Sequence, residues 1–182
     1  KRSDHEVRNS IWKRAENRGH EIAGRTIGII GYGNMGSAFA KKLKGFDCEI
    51  LVYDKYKTGI VGEHIKESSL YEIYEKADVV SIHLPLTQET NNYIDDNFIS
   101  QFKKNIYIIN TARGKCLNTT DLVKHLKTGK VIGACLDVLE YESVSFENID
   151  TTTLPEPMQY LLKNENVILT FHIAGWTHES NY

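Results

Sequence analysis

The sequence predicts an α/β domain, doubly wound around a parallel sheet. Short, apolar, β-branched runs alternate with segments of helical periodicity along the chain. The first run meets three glycines spaced G-x-G-x-x-G, and the second ends in an acidic residue. Strands without polar alternation belong in a parallel sheet covered by helices on both faces.

The elements follow in order. Arg25-Thr26-Ile27-Gly28-Ile29-Ile30 reads as a strand and runs into Gly31-Tyr32-Gly33-Asn34-Met35-Gly36. Helical spacing of Met35, Ala38, Phe39 and Leu43 follows. This strand–turn–helix order suits a dinucleotide pyrophosphate: Gly31 permits the tight turn, Gly33 lets the backbone approach the phosphates, and Gly36 lets helix and strand pack closely. The helix N-terminus offers N–H groups and a positive dipole end to the anion. Glu49-Ile50-Leu51-Val52-Tyr53 is the second strand, ending in Asp54, eighteen residues beyond Gly36. A carboxylate there accepts from the adenosine ribose hydroxyls and repels a 2′-phosphate, so NAD is expected over NADP, with Lys55 and Lys57 as a partial offset.

Ser69 and Glu72 form a capping box ahead of a helix carrying Leu70, Ile73, Tyr74 and Ala77. Strand Val79–Ile82, turn His83–Thr87, helix Asp95–Phe102 and strand Ile106–Asn110 come next. A helix with Leu122, Val123 and Leu126 leads to strand Val131–Leu136. Irregular chain from Tyr141 to Pro157, a short helix Met158–Leu162 and a strand Val167–Thr170 complete the pattern. The polar segment from Ser3 to about Gly19, with Ile11, Trp12 and Ala15 as a narrow apolar stripe, is expected to be a connecting helix within residues 1–22. It would lead from a substrate domain absent from this chain, residues 23–182 being the dinucleotide-binding domain. Ligands of such sheets sit beyond the carboxyl ends of the strands. Asp54, His83, Thr111-Ala112-Arg113-Gly114, the stretch from Asp137 to Glu142, and His172 are therefore the polar residues of interest.

A chain of 182 residues suffices for one domain, and 41% hydrophobic with 25% charged residues is a globular composition. A net charge of −2 gives no reason to expect nucleic acid or an anionic membrane as partner, and no apolar run approaches the length of a membrane span. Cys48, Cys116 and Cys135 are scattered and odd in number, which suits reduced thiols in a cytoplasmic protein and neither disulfides nor a metal centre.

Five ordered motifs resemble the D-isomer-specific 2-hydroxyacid dehydrogenase family. They are Gly31–Gly36; Ala77-Asp78-Val79-Val80 with His83-Leu84-Pro85-Leu86-Thr87; Asn110–Gly114; Leu136-Asp137-Val138-Leu139-Glu140; and His172-Ile173-Ala174-Gly175. The resemblance spans roughly residues 8 to 181, with a flavour of phosphoglycerate dehydrogenase-like members. It implies a Rossmann-type domain that binds NAD, acts on a small 2-hydroxy or 2-oxo acid, and works in a homodimer. It also implies catalytic roles for Arg113, Glu142 and His172, and places Asp137 near the nicotinamide carboxamide. Asn34 and Met35 match positions whose backbone meets the pyrophosphate. Leu84 and Thr111 match positions flanking the cofactor, with Arg113, His172, Ala112 and Gly175 in the same motifs. Phe171 stands where the family usually has proline, Lys115-Cys116-Leu117-Asn118 replaces a more usual small-apolar-acidic run, and Ser143–Pro157 looks long.

The chemistry fits these residue types. His172 can exchange a proton near neutrality, Glu142 can orient its ring, and Arg113 can grip a carboxylate with forked donors. His83 is expected to be structural, Cys116 an unreactive thiol, and Trp176 a packing residue at a domain junction. Without its substrate domain the chain alone should be poorly active. The alternative is a non-enzymatic NAD-sensing protein on the same fold, resembling the family's transcriptional corepressors.

Overall fold

Thr26–Ile30 is buried along its whole length, as an apolar run without alternation requires. In the structure, a computed structural model in which residues 2–142 and 154–181 are described, it is the central strand. The elements in chain order are α1 (Arg2–Arg8), β1 (Thr26–Ile30), α2 (Asn34–Leu43), β2 (Glu49–Tyr53), β3 (Val61–Gly62), β4 (Ile65–Glu67), α3 (Leu70–Lys76), β5 (Val79–Ile82), α4 (Asp96–Ser100), β6 (Ile106–Asn110), α5 (Thr119–Thr128), β7 (Val131–Leu136), α6 (Glu156–Lys163) and β8 (Val167–Leu169).

They form one sheet in the order β3-β4-β2-β1-β5-β6-β7-β8, parallel throughout except for β3 against β4. After β4 the chain returns to the other side of β1, so the β1/β5 boundary is the topological switch point where such sheets open a ligand crevice. Ile30 pairs with Tyr53 and Ile82, Ile82 with Asn110, Asn110 with Leu136, and Leu136 with Leu169. That register brings the loops carrying the candidate residues out at one level.

Alternation along β1 divides the core. Ile27 and Ile29 join Ala40 and Leu43 of α2 on one face, with Ile50 and Val52. Ile30 and Leu51 face the other way, into a larger cluster with Ile73 of α3, Phe98 and Ile99 of α4, Leu122 of α5, and Met158 and Leu161 of α6. Each such fully buried aliphatic side chain contributes about 1.5–3 kcal/mol. Ser69 caps α3 by accepting from Glu72 N–H at 3.2 Å, and Asn118 caps α5 through Asp121 N–H at 3.1 Å. Asp95 lies outside α4 as its cap, accepting from Phe98 N–H at 2.9 Å, so that helix is shorter than the sequence pattern.

Two expectations are corrected, and one element was missed. The helix expected from Ser3 to Gly19 ends at Arg8. The Asn9 amide takes the His5 carbonyl at 2.8 Å and Ser10 turns left-handed at φ 59°, which diverts the backbone from helix. Its apolar stripe is exposed, Trp12 by 83%, so little burial among the described residues rewards a longer helix. Cover on both faces fails over β6–β8. Tyr107, Ile109, Ile132, Cys135 and Ile168 share a face on which no described helix lies, leaving Ile168 46% exposed and a cavity of ≈ 440 Å³ toward Phe39 and Leu43. Apolar residues on both sides of a strand signal a need for burial, not what satisfies it. The edge hairpin β3/β4 was not expected, being two short exposed strands with no apolar run. Most of the irregular stretch Tyr141–Pro157 lies outside the described residues.

Candidate active and cofactor site

The turn after β1 has the shape its glycines require. Gly31 sits at φ 94°, and a Cβ there would lie 2.6 Å from the His83 carbonyl oxygen. A Cβ on Gly36 would lie 2.1 Å from the Gly31 carbonyl oxygen, so only glycine lets α2 approach β1 this closely. Gly33, by contrast, faces open space, and as the cap of α2 it brings no side chain. The first hydrogen bond of α2 runs from Ser37 N–H to Gly33 O at 3.0 Å. The N–H groups of Asn34, Met35 and Gly36 therefore have no intrahelical acceptor and line an anion cradle. Met35 is 67% exposed, so its backbone is the part suited to the cradle. His83 supports this turn from beneath. Its ring stacks tilted on Phe39, its Nε2 lies 2.9 Å from Ser81 Oγ, and burial lowers its pKa to about 4, a neutral structural histidine as expected.

Asp54 closes the second strand with its carboxylate already fixed. One oxygen accepts from Tyr32 N–H at 2.7 Å, and the other from Tyr56 N–H at 2.9 Å and Lys57 N–H at 3.0 Å. Burial pushes this carboxyl up, but the three amides and the Lys57 charge outweigh it and hold it below its ordinary value. A cavity of ≈ 310 Å³ opens between Gly31, Gly33, Asp54, Leu84 and Tyr93. Across its mouth Glu89, on the loop after β5, ion-pairs with Lys55 and accepts from Tyr56 OH at 2.6 Å. Lys57 Nζ donates to the Tyr32 carbonyl at 2.9 Å. The open face of Gly33, the free helix end and the ready carboxylate together fit a dinucleotide.

The candidate proton-handling residues, Glu142 and His172, meet beyond β7 and β8. Glu142 Oε2 lies 3.3 Å from His172 Nδ1, while Oε1 accepts from Leu139 N–H at 2.5 Å. His172 occupies the left-handed region at φ 59°, unusual outside glycine, and donates its N–H to the Asp137 carbonyl at 2.6 Å. The Asp137 carboxylate organises the same loop. It accepts from Thr170 Oγ1 at 2.5 Å, Ile173 N–H at 3.0 Å and Ala174 N–H at 2.8 Å. Burial raises that carboxyl, but these donors and the nearby His172 bring it below its ordinary value. Asp137 thus carries a task that its motif did not suggest, fixing the histidine turn.

Arg113 follows β6 on a loop shaped by Asn110 and Gly114, two residues of its motif to which the sequence reading gave no role. The buried Asn110 side chain accepts from Ala112 N–H and donates to the Arg113 carbonyl, both at 3.1 Å. A Cβ on Gly114 would lie 2.0 Å from the Leu139 carbonyl oxygen, so this glycine lets the arginine loop press against the segment that leads to Glu142. The signal was present in the sequence, since a buried asparagine at a strand end and a glycine after the arginine both mark tight backbone. Arg113 itself is exposed, its guanidinium donating to the Ala112 carbonyl at 2.6 Å. Thr111 and Gly175 lie open on this surface. Phe171 and Trp176 are 87% and 75% exposed. Cys116 is fully buried and its thiol pushed up by burial, matching an unreactive role.

Residues 1–174 match the family model of the NAD binding domain of D-isomer specific 2-hydroxyacid dehydrogenases. The chain is 40% identical over 185 residues to a glyoxylate reductase of Thermofilum pendens, covering 98% of this chain and 51% of that protein. It is 36% identical over 166 residues to a D-specific alpha-keto acid dehydrogenase of Enterococcus faecium, covering 90% and 50%. Among solved structures, D-lactate dehydrogenase from Aquifex aeolicus complexed with NAD and lactic acid superposes with a TM-score of 0.85 at 33% identity, covering 99% and 56%. The NAD-complexed D-isomer specific 2-hydroxyacid dehydrogenase of Lactobacillus delbrueckii ssp. bulgaricus gives 0.85 at 31% identity, covering 98% and 55%. The chain spans about half the length of the curated relatives it matches. With a glycine turn, a strand-end carboxylate and a histidine–glutamate pair arranged as above, the chain belongs to the D-isomer-specific 2-hydroxyacid dehydrogenase family, of which it is an NAD-binding domain.

Proposed function

We propose that this chain is the cofactor half of an NAD-dependent oxidoreductase that interconverts a D-2-hydroxy acid and a 2-oxo acid. The observation that carries this reading is the contact between Glu142 and His172, held on a strained turn level with the Arg113 loop. A bound nicotinamide would supply the hydride. A carboxylate beside Nδ1 orients the ring and leaves Nε2 to face the substrate. Nε2 of His172 then gives a proton to the substrate carbonyl oxygen in reduction and takes one from the hydroxyl in oxidation. Arg113 binds the substrate carboxylate with its forked donors and withdraws charge from the neighbouring carbonyl. Asn34, Met35 and Gly36 would hold the pyrophosphate, Asp54 the ribose, and Leu84, Thr111, Ala112 and Gly175 the cofactor's flanks. Asp137 retains one lone pair with which to accept from the nicotinamide carboxamide.

The substrate is expected to be a small 2-oxo acid enclosed by a second domain, so that the chain alone turns over slowly. A homodimer in the cytoplasm completes the proposal. The uncovered apolar face of β6–β8 supports further burial in the whole protein, and no described helix is long and apolar enough to cross a membrane. The test is turnover by the full-length protein with NADH and a panel of 2-oxo acids including glyoxylate, pyruvate and branched analogues. Reduction of at least one of them to its D-hydroxy acid is expected. No turnover of any, with NADH still bound, would favour the NAD-sensing alternative.

A further inference from the structure

Glu89 lies on the loop after β5, far along the chain from the proton-handling residues, yet it reaches across the adenosine end of the cavity. One carboxylate oxygen engages Lys55 and the other accepts from Tyr56 OH at 2.6 Å. These are the two residues that follow Asp54. An exposed ion pair of this kind contributes little to stability, with the two side chains 57% and 44% exposed, so its consequence must be sought in what approaches the cavity.

NAD and NADP differ by the 2′-phosphate, which carries about −1.5 to −2 charges near neutrality, as phosphate monoesters do. It would arrive where Asp54 waits for the ribose hydroxyls. Lys55 and Lys57 flank that carboxylate, and two free ammonium groups there would suit a phosphate well. Neither is offered to one. Lys57 is turned back onto the Tyr32 carbonyl, and Lys55 is held by Glu89. With Glu89 present, two carboxylates and two lysines balance at the cavity mouth; without it, one positive charge is left over.

We propose that Glu89 is a specificity-determining residue, which occupies Lys55 and so denies the 2′-phosphate of NADP a cation beside Asp54. This rests on the NAD-binding reading of the cavity. The mutual effects on the two groups agree with the geometry. The hydrogen bond and charge of Lys55 lower the Glu89 carboxyl, with Tyr56 adding to it, and Glu89 in turn raises Lys55. Discrimination is thereby shared between two loops: Asp54 repels, and Glu89 removes the compensation that adjacent lysines would give.

The test is a pair of direct calorimetric titrations, with NADH and with NADPH, on the unsubstituted chain, Glu89→Gln and Glu89→Gln/Lys55→Met. Glu89→Gln keeps a partner for Tyr56 and deletes only the charge. It should tighten NADPH about tenfold, the size expected for one charge about 6 Å from a phosphate at the surface. NADH should stay within about twofold. Adding Lys55→Met should abolish the NADPH gain, because the freed ammonium is what produces it. An unchanged NADH-to-NADPH ratio in Glu89→Gln, whether neither ligand or both were affected, would overturn the role of Glu89. So would a gain that survives Lys55→Met. Absence of NADH binding to the unsubstituted chain would instead refute the NAD-binding reading, and this proposal with it.

Discussion

If the proposed reaction holds, His172→Asn in the full-length protein is expected to lower kcat/KM for 2-oxo acid reduction by about 10²–10⁴, the range for loss of a positioned general acid. NADH affinity should stay within about threefold. Asparagine is the informative replacement because His172 sits at φ 59°, a region asparagine tolerates better than most residues. Its backbone N–H keeps the bond to the Asp137 carbonyl, while its side chain can no longer carry a proton. Steady-state kinetics with a stopped-flow NADH titration separates the two readouts. A loss under tenfold, or an equal loss in NADH binding, would show that the histidine shapes the pocket and does not handle the proton.

Gly36→Ala should weaken NADH binding by at least about tenfold, since each hydrogen bond lost to a charged group costs about 1.5–3 kcal/mol. One methyl would be placed 2.1 Å from the Gly31 carbonyl oxygen, more than an ångström inside normal contact. The strand end cannot yield, because Gly31 is itself backed by the His83 carbonyl and its N–H is bonded to Tyr53 O at 2.8 Å. Helix α2 must then withdraw, carrying the N–H groups of Asn34 to Gly36 away from the pyrophosphate. The strain should also cost about 1–3 kcal/mol of stability, as overpacking does. Urea unfolding followed by circular dichroism reads that cost on a chain that still folds. Undiminished NADH affinity would mean that the cradle is not where the pyrophosphate lies.

Local signals made much of this readable beforehand. The strand–glycine–helix order placed β1, the turn and α2 because glycine spacing and apolar runs are properties of neighbours in the chain. Asp54 was legible for the same reason, since a strand end and an acid coincide there. His172 and Glu142 were named through the family resemblance, but their 3.3 Å contact depends on the parallel register of β7 and β8, which neither residue reveals alone. Long-range effects were hidden. Asp137 takes three donors from a loop more than thirty residues away, and Glu89 meets Lys55 across a gap of thirty-four. The segment after Arg8 misled because a narrow apolar stripe counts only when something packs on it, and Ile11 and Trp12 remain exposed.

Residues 1–182 should contain a working NAD cradle, because the helix end, Gly33 and Asp54 all lie within this one sheet, and calorimetric titration of the chain with NADH reads it out. The expected result is saturable binding of one NADH per chain, with NADPH at least about tenfold weaker because Asp54 faces its 2′-phosphate. No saturable NADH binding by the folded chain, or NADPH binding as tight as NADH, would contradict it.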